Sequence, residues 1–234
     1  MSNKNDIIWV TGGSSGIGKA TVEELIANEY YVAASSRRVS ALDELKNKFN
    51  DQLLIAPMDV SKSNEVIAAY QSIESQFKVN CLINNAGITS FSEASKNSFA
   101  ESDEIINTNL LGAIYAIQAV LPGMIERNEG TIINILSVAA IKVFENSSVY
   151  AASKAGLLAY SKVLREELRD NNIRVINILP GATKTPIWPN DALEKFSGRM
   201  MNPADIAKLI VDILNIKGNM VPEEVVLRPT KGDL

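Results

Sequence analysis

Short runs rich in Ile, Val and Leu alternate along the chain with longer stretches in which apolar residues recur every three or four positions. The first pattern predicts strands and the second predicts amphipathic helices. Strands are expected near 6–12, 30–36, 53–58, 80–86, 131–137, 173–179 and 224–228, and helices near 17–28, 40–49, 63–77, 102–127, 148–171 and 203–215. Such alternation is the rhythm of parallel strands joined by crossover helices, so the expected fold class is α/β. It continues without a linker, repeat or shift of composition over residues 1–234, which predicts a single domain. The pattern breaks between Ala182 and Asn202, where Pro186, Pro189 and Gly198 surround Trp188 and Phe196. A loop of that length in a compact domain calls for a function, and a substrate lid near 182–202 is expected.

Two helices are apolar beyond a single face. The helix over 102–127 carries Ile105, Leu110, Leu111, Ile114, Ile117, Val120 and Leu121 around most of its circumference. The one over 148–171 presents Ala151, Ala152, Ala155, Gly156 and Ala159, small enough for another backbone to approach. These faces suit a homodimer or homotetramer; burial within one chain explains the same stripes.

Charge and composition remove whole classes of partner. With 23 basic against 27 acidic residues and no long like-charge run, neither nucleic acid nor an anionic membrane surface is an expected partner. No signal-peptide core and no apolar run of spanning length is evident, and a cytoplasmic location is expected. The lone Cys81 cannot form an internal disulfide, and its apolar strand setting predicts burial. The chain has no histidine, which excludes histidine-based triads and, with one cysteine, the usual zinc sites; no metal is expected.

The chemistry begins at the first strand. Ile7-Ile8-Trp9-Val10 runs into Thr11-Gly12-Gly13-Ser14-Ser15-Gly16-Ile17-Gly18 and then a helix. Glycines let backbone amides approach an anion that the helix dipole attracts, so a dinucleotide site is expected rather than a plain chain reversal. The second strand ends in Ser35-Ser36-Arg37-Arg38, without the acidic residue that grips the ribose hydroxyls of NAD. Arg37 and Arg38 suit the 2′-phosphate of NADP, although two solvated loop arginines would read alike.

Downstream, Tyr150 and Lys154 stand four apart and share a helix face. An ammonium beside a tyrosine favours the phenolate, so the expected effect of Lys154 is to lower the Tyr150 pKa from about 10. Ser137, at a strand end facing that helix, offers a hydroxyl to hold a substrate oxygen. Together they suit alcohol and carbonyl interconversion.

Thr11-Gly-Gly-Ser-Ser-Gly-Ile-Gly18, Asn84-Asn85-Ala86-Gly87, Asn109, Ser137, Tyr150-x-x-x-Lys154 and Pro180-Gly181 with Thr185 resemble the short-chain dehydrogenase/reductase family in order and spacing, over practically the whole chain. The resemblance implies a Rossmann-type doubly wound parallel sheet of about seven strands, with helices on both faces. It implies a cofactor site of Gly12, Ser14, Ser15, Gly16, Ile17, Gly18, Arg37, Arg38, Asp59, Val60, Asn85, Ala86, Gly87, Tyr150, Lys154, Pro180, Gly181, Thr183 and Thr185. Asn109, Ser137, Tyr150 and Lys154 are the implied catalytic set, with Asn109 supporting a proton relay through water. Ser137, Tyr150, Phe144 and Trp188 are expected to meet the substrate, with Val143, Ile187, Phe196 and Met200 as further apolar candidates. The implied activity is an NADP(H)-dependent reductase acting on a small to medium-sized carbonyl compound. A silent NADP sensor or scaffold, and a lyase or epimerase without net redox, share the same fold.

Overall fold

The computed structural model describes residues 5–234 and contains seven strands in one parallel sheet. These are β1 Asp6–Thr11, β2 Val32–Ser35, β3 Leu53–Ile55, β4 Lys78–Asn84, β5 Gly130–Ile135, β6 Ile173–Pro180 and β7 Glu224–Leu227. The helices are α1 Gly16–Ala27, α2 Val39–Phe49, α3 Ser63–Glu74, α4 Phe99–Ile106, α5 Gly112–Arg127, α6 Ser148–Glu167, α7 Asn190–Phe196 and α8 Pro203–Leu214. The sheet order is β3-β2-β1-β4-β5-β6-β7, so the winding reverses between β1 and β4. At that reversal the loops leaving the two strands diverge, opening a crevice at the carboxyl edge of the sheet.

Alternation along the strands feeds two cores. Ile7 and Trp9 of β1 face one side, with Val66 and Ile73 of α3 and Ile117 and Val120 of α5. Ile8 and Val10 face the other, with Val22 and Leu25 of α1, Leu42 of α2 and Ile206 and Ile210 of α8. A sheet covered on both faces reads in sequence as continuous apolar runs, as it does here. Trp9 is fully buried, and its Nε1 donates to Ser35 Oγ on β2 at 2.8 Å, so its polar atom is not stranded.

Polar residues cross this apolar sheet at one level. Asn84, Asn134 and Asn177 are register partners on β4, β5 and β6. Asn84 Nδ2 donates to Asn134 Oδ1 at 3.0 Å; Asn134 Nδ2 donates to Asn177 Oδ1 at 3.2 Å and to Ser161 Oγ of α6 at 3.0 Å. The row ends in two atoms without partners, Asn84 Oδ1 and Asn177 Nδ2.

Three features differ from the sequence expectations. The helix expected over 102–127 begins at Phe99 and widens into a π turn over Asn107–Leu111. By length and composition the run Phe99–Arg127 is apolar enough to cross a membrane, contrary to the expected lack of such a run; here its Ala116, Ile117, Val120 and Met124 are buried in the core. The segment 182–202 is not all loop, because it contains α7. Its base is closed by Met201 N donating to Ala182 O and Lys184 N to Met201 O, both at 2.9 Å.

Candidate active site

A crevice of about 730 Å³ lies at the winding reversal. Its glycine-rich wall follows β1. Gly12 has φ +66°, and a Cβ there would stand 2.8 Å from Ala86 Cα; Gly16 has φ +54° and faces Thr185. Neither position accommodates a side chain without strain. Thr11 ties this wall to the β4 loop: its Oγ1 accepts from Asn85 N and Ala86 N at 3.1 and 3.2 Å, while Asn85 Nδ2 donates to Thr11 O and Gly12 O at 3.1 Å. Ser15, the residue before α1, has extended backbone and makes no side-chain cap, so the first amides of the helix have no such partner.

Gly18 lies beneath this wall rather than on it. A Cβ there would be 2.3 Å from both Gly12 O and Asn85 Nδ2, so the glycine permits the close packing of α1 under the turn. Ser14, Ser15, Ile17, Asp59, Val60, Asn85, Ala86, Gly87, Pro180, Gly181, Thr183 and Thr185 all line the crevice with Gly12 and Gly16. Arg37 and Arg38 line it too. Arg38 donates from Nε and Nη2 to Ser14 Oγ at 3.3 and 3.1 Å, whereas Arg37 reaches Glu104 at 3.5 Å.

The opposite wall carries Ser137, Tyr150 and Lys154. Ser137 follows β5, where its Oγ accepts from Ala139 N at 3.1 Å and so keeps its proton to donate. Tyr150 and Lys154 lie on consecutive turns of α6, with Lys154 Nζ 5.8 Å from the centre of the tyrosine ring. Lys154 is buried and donates to Ile135 O at 2.9 Å. Burial brings its amine down to about 8. The Tyr150 hydroxyl is pushed up by burial, opposed by a hydrogen bond from Ser137. This reverses the expected lowering by Lys154: desolvation outweighs the influence of an amine that is itself held by a carbonyl and weakened as a cation.

Asn109 stands behind this wall, fully buried in the π turn. Its Oδ1 accepts from Ile88 N and its Nδ2 donates to Ile88 O, both at 2.8 Å, and Nδ2 also donates to Ser153 Oγ at 3.1 Å. It therefore fastens the β4 loop to α6 one residue before Lys154. π turns recur at functional sites, and this one places an amide where a regular helix would not.

Of the apolar candidates, Phe144, Ile187 and Trp188 line the crevice; Phe196 and Met200 do not, and Val143 is 91% exposed on a neighbouring hollow. Among the lining residues that escaped sequence reasoning, two stand out. Phe91 stacks on Trp188 with centroids 5.0 Å apart and planes at 17°, joining the β4 loop to the 182–202 segment. Asp233 approaches from the far end of the chain. Only the isolation of Phe91 as an aromatic in the polar 88–98 stretch hinted at the first. No group of metal-ligating side chains occurs among the described residues.

Comparison with known proteins follows the same lines. The model of the short chain dehydrogenase family matches residues 6–195. Sepiapterin reductase of Chlorobaculum tepidum is 31% identical over 239 residues, spanning 97% of this chain and 98% of its own. The NADP-dependent 3-hydroxy acid dehydrogenase YdfG of Escherichia coli (strain K12) is 37% identical over 177 residues, 75% of this chain and 71% of its own. Among solved structures, the closed form of serine dehydrogenase complexed with NADP+ superposes with a TM-score of 0.92 at 29% identity, covering 97% of this chain and 96% of that one.

Proposed function

Because the chain belongs to the short-chain dehydrogenase family, whose members are NAD(P)-dependent oxidoreductases, we propose that it is an NADP(H)-dependent reductase interconverting a carbonyl and a secondary alcohol, with Tyr150 as acid and base. The observation that carries this reading is the meeting of two walls in one crevice: a glycine turn with an uncapped helix N-terminus, and the Ser137–Tyr150–Lys154 group.

The residues present fit the nucleotide. Gly12 and Gly16 leave a cradle that a Cβ would fill, the first amides of α1 suit a pyrophosphate, and Arg38 beside Ser14 suits a 2′-phosphate. The names of the relatives point the same way, since YdfG is NADP-dependent and the serine dehydrogenase holds NADP+. When bound, the nicotinamide supplies the hydride. Ser137 orients the substrate oxygen with the proton its Oγ retains, and Tyr150 donates to that oxygen as negative charge develops. A hydroxyl pushed upward by burial stays protonated at neutral pH, which suits the reductive direction. Asn109 keeps the β4 loop and α6 in register around Lys154. Phe91 and Trp188 roof the substrate end as a lid over 182–202.

Tyr150→Phe removes the proton donor and little bulk. Turnover of reduced nicotinamide with a carbonyl panel should fall at least about 100-fold, while NADPH affinity measured by fluorescence titration stays unchanged. Turnover at the parent rate would overturn the assignment. The buried single thiol suits a cytosolic protein, and the outward Phe99, Ile125 and Val163 of α4, α5 and α6 suit self-association, which light scattering would read as a mass above 25.4 kDa.

A further inference from the structure

Beside the crevice, three cations from separate parts of the chain converge on Asp233, which lines it: two meet its carboxylate and one its backbone carbonyl. Lys142 follows the short helical turn Val138–Ala140 after β5, and its Nζ donates to Asp233 Oδ2 at 2.6 Å. Arg228, just beyond β7, pairs with the same oxygen through Nη1. Arg199 of the 182–202 segment donates from Nη2 to Asp233 O at 3.1 Å. Each cation is tied to the crevice: Lys142 N bonds to Val138 O at 2.9 Å, Arg199 belongs to the segment that roofs it, and Arg228 follows Leu227, whose carbonyl accepts from Gly181 N at 2.7 Å. Val138, Gly181 and Asp233 all line the cavity.

The clasp is imperfect for the group that occupies it. The Asp233 side chain is 9% exposed, yet its Oδ1 is buried with no partner. A buried carboxylate oxygen without a donor is costly, which makes the aspartate easier to displace than a fully bonded one. The cations keep 45% and 40% exposure at Lys142 and Arg228 and outnumber the anion they hold. A planar guanidinium beside an ammonium matches a carboxylate in shape as well as charge.

We propose that Lys142 and Arg228, with Arg199 beside them on the backbone of the same residue, form an anion subsite that takes the carboxylate of an oxo acid or hydroxy acid, and that Asp233 holds this subsite as an internal competitor. The proposal rests on the reductase reading above and names its substrate class. Substrate entry exchanges one carboxylate for another, and the displaced Asp233 regains water on both oxygens.

The test uses the full chain saturated with NADP+ and, as probes, 3-oxobutanoate and its neutral methyl ester, with binding measured by calorimetry. The acid should bind at least tenfold more tightly than the ester. Asp233→Asn removes the competing charge and should widen that preference about tenfold. Adding Arg228→Gln to Asp233→Asn should abolish the gain. Equal binding of acid and ester, or a gain that persists without Arg228, would overturn the subsite. Because binding is read without turnover, acid-selective binding with no oxidation of NADPH in a parallel assay would instead count against the reductase reading alone.

Discussion

Lys154→Met replaces a buried amine by a thioether of similar reach, and the change should alter how stability responds to pH. Burial holds the Lys154 pKa at about 8, against 10.5 for the free side chain. Below pH 8 the amine is protonated in both states, and the native fold bears the cost of a desolvated charge. Above pH 8 the native amine loses its proton while the unfolded chain keeps one, so stability rises with pH until the unfolded amine titrates as well. The whole interval corresponds to about 3 kcal/mol. Its upper part is obscured, because burial raises the Cys81 thiol from 9.0 to about 12 and that group loses stability as pH climbs. Between pH 8 and 9 the lysine dominates, and the parent protein should gain about 1 kcal/mol over the methionine variant. The hydrogen bond to Ile135 O does not confuse the comparison, since a neutral amine still donates and its loss in the variant is a constant offset. Urea denaturation of the nucleotide-free proteins, followed by circular dichroism across this range, supplies the two curves. Parallel curves, or a parent that loses ground to the variant, would refute the reasoning.

Gly18→Ala forces a Cβ to within 2.3 Å of Gly12 O and Asn85 Nδ2, and the resulting shift should cost about 1–3 kcal/mol in the urea midpoint and weaken nucleotide binding; an unchanged midpoint would show that the turn relaxes freely. Cys81, 3% exposed and with its thiol pushed up to about 12, should resist Ellman's reagent at pH 8 in the native protein and react fully in guanidinium; prompt reaction without denaturant would contradict its burial. Arg38→Ala removes a charge-assisted donor worth about 1.5–3 kcal/mol, so NADPH affinity should fall roughly tenfold to 150-fold with little change for NADH. Equal losses for both nucleotides would remove Arg38 from the 2′-phosphate site.

Periodicity was sufficient for the scaffold because the elements are long or buried on both faces. Each of the seven strands overlaps its expected stretch, with β4, β5 and β6 reaching one or two residues beyond it, and β5, buried along its whole length, reads plainly as Thr131-Ile-Ile-Asn-Ile135. The glycine turn and the Tyr150–Lys154 spacing were legible because both are local, each fixed by a few consecutive residues. What escaped depends on contacts between distant segments. The π turn at Asn107–Leu111 coincides with bonds from Asn109 to Ile88 and Ser153, none of which a helical pattern encodes. The Phe91–Trp188 stack needs two loops to converge, and the pairing of Asp233 with Lys142 spans 91 positions. The Tyr150 shift runs against the sequence expectation for a related reason: spacing reports which groups are neighbours, whereas desolvation depends on everything that covers them.

The asparagine row across β4, β5 and β6 bears on how the crevice is kept true. In strands this rich in Ile, Val and Leu, a slip of two residues would return similar side chains to the same faces at many positions, and hydrocarbon packing alone would discriminate poorly. Asn84, Asn134 and Asn177 act as alignment pins, since only one setting lets their amides meet. The Asn85 loop leaves immediately above the first pin, Ser137 stands three residues above the second and Pro180 three above the third. One line of amides in the interior thus sets the common height from which the two walls of the crevice rise.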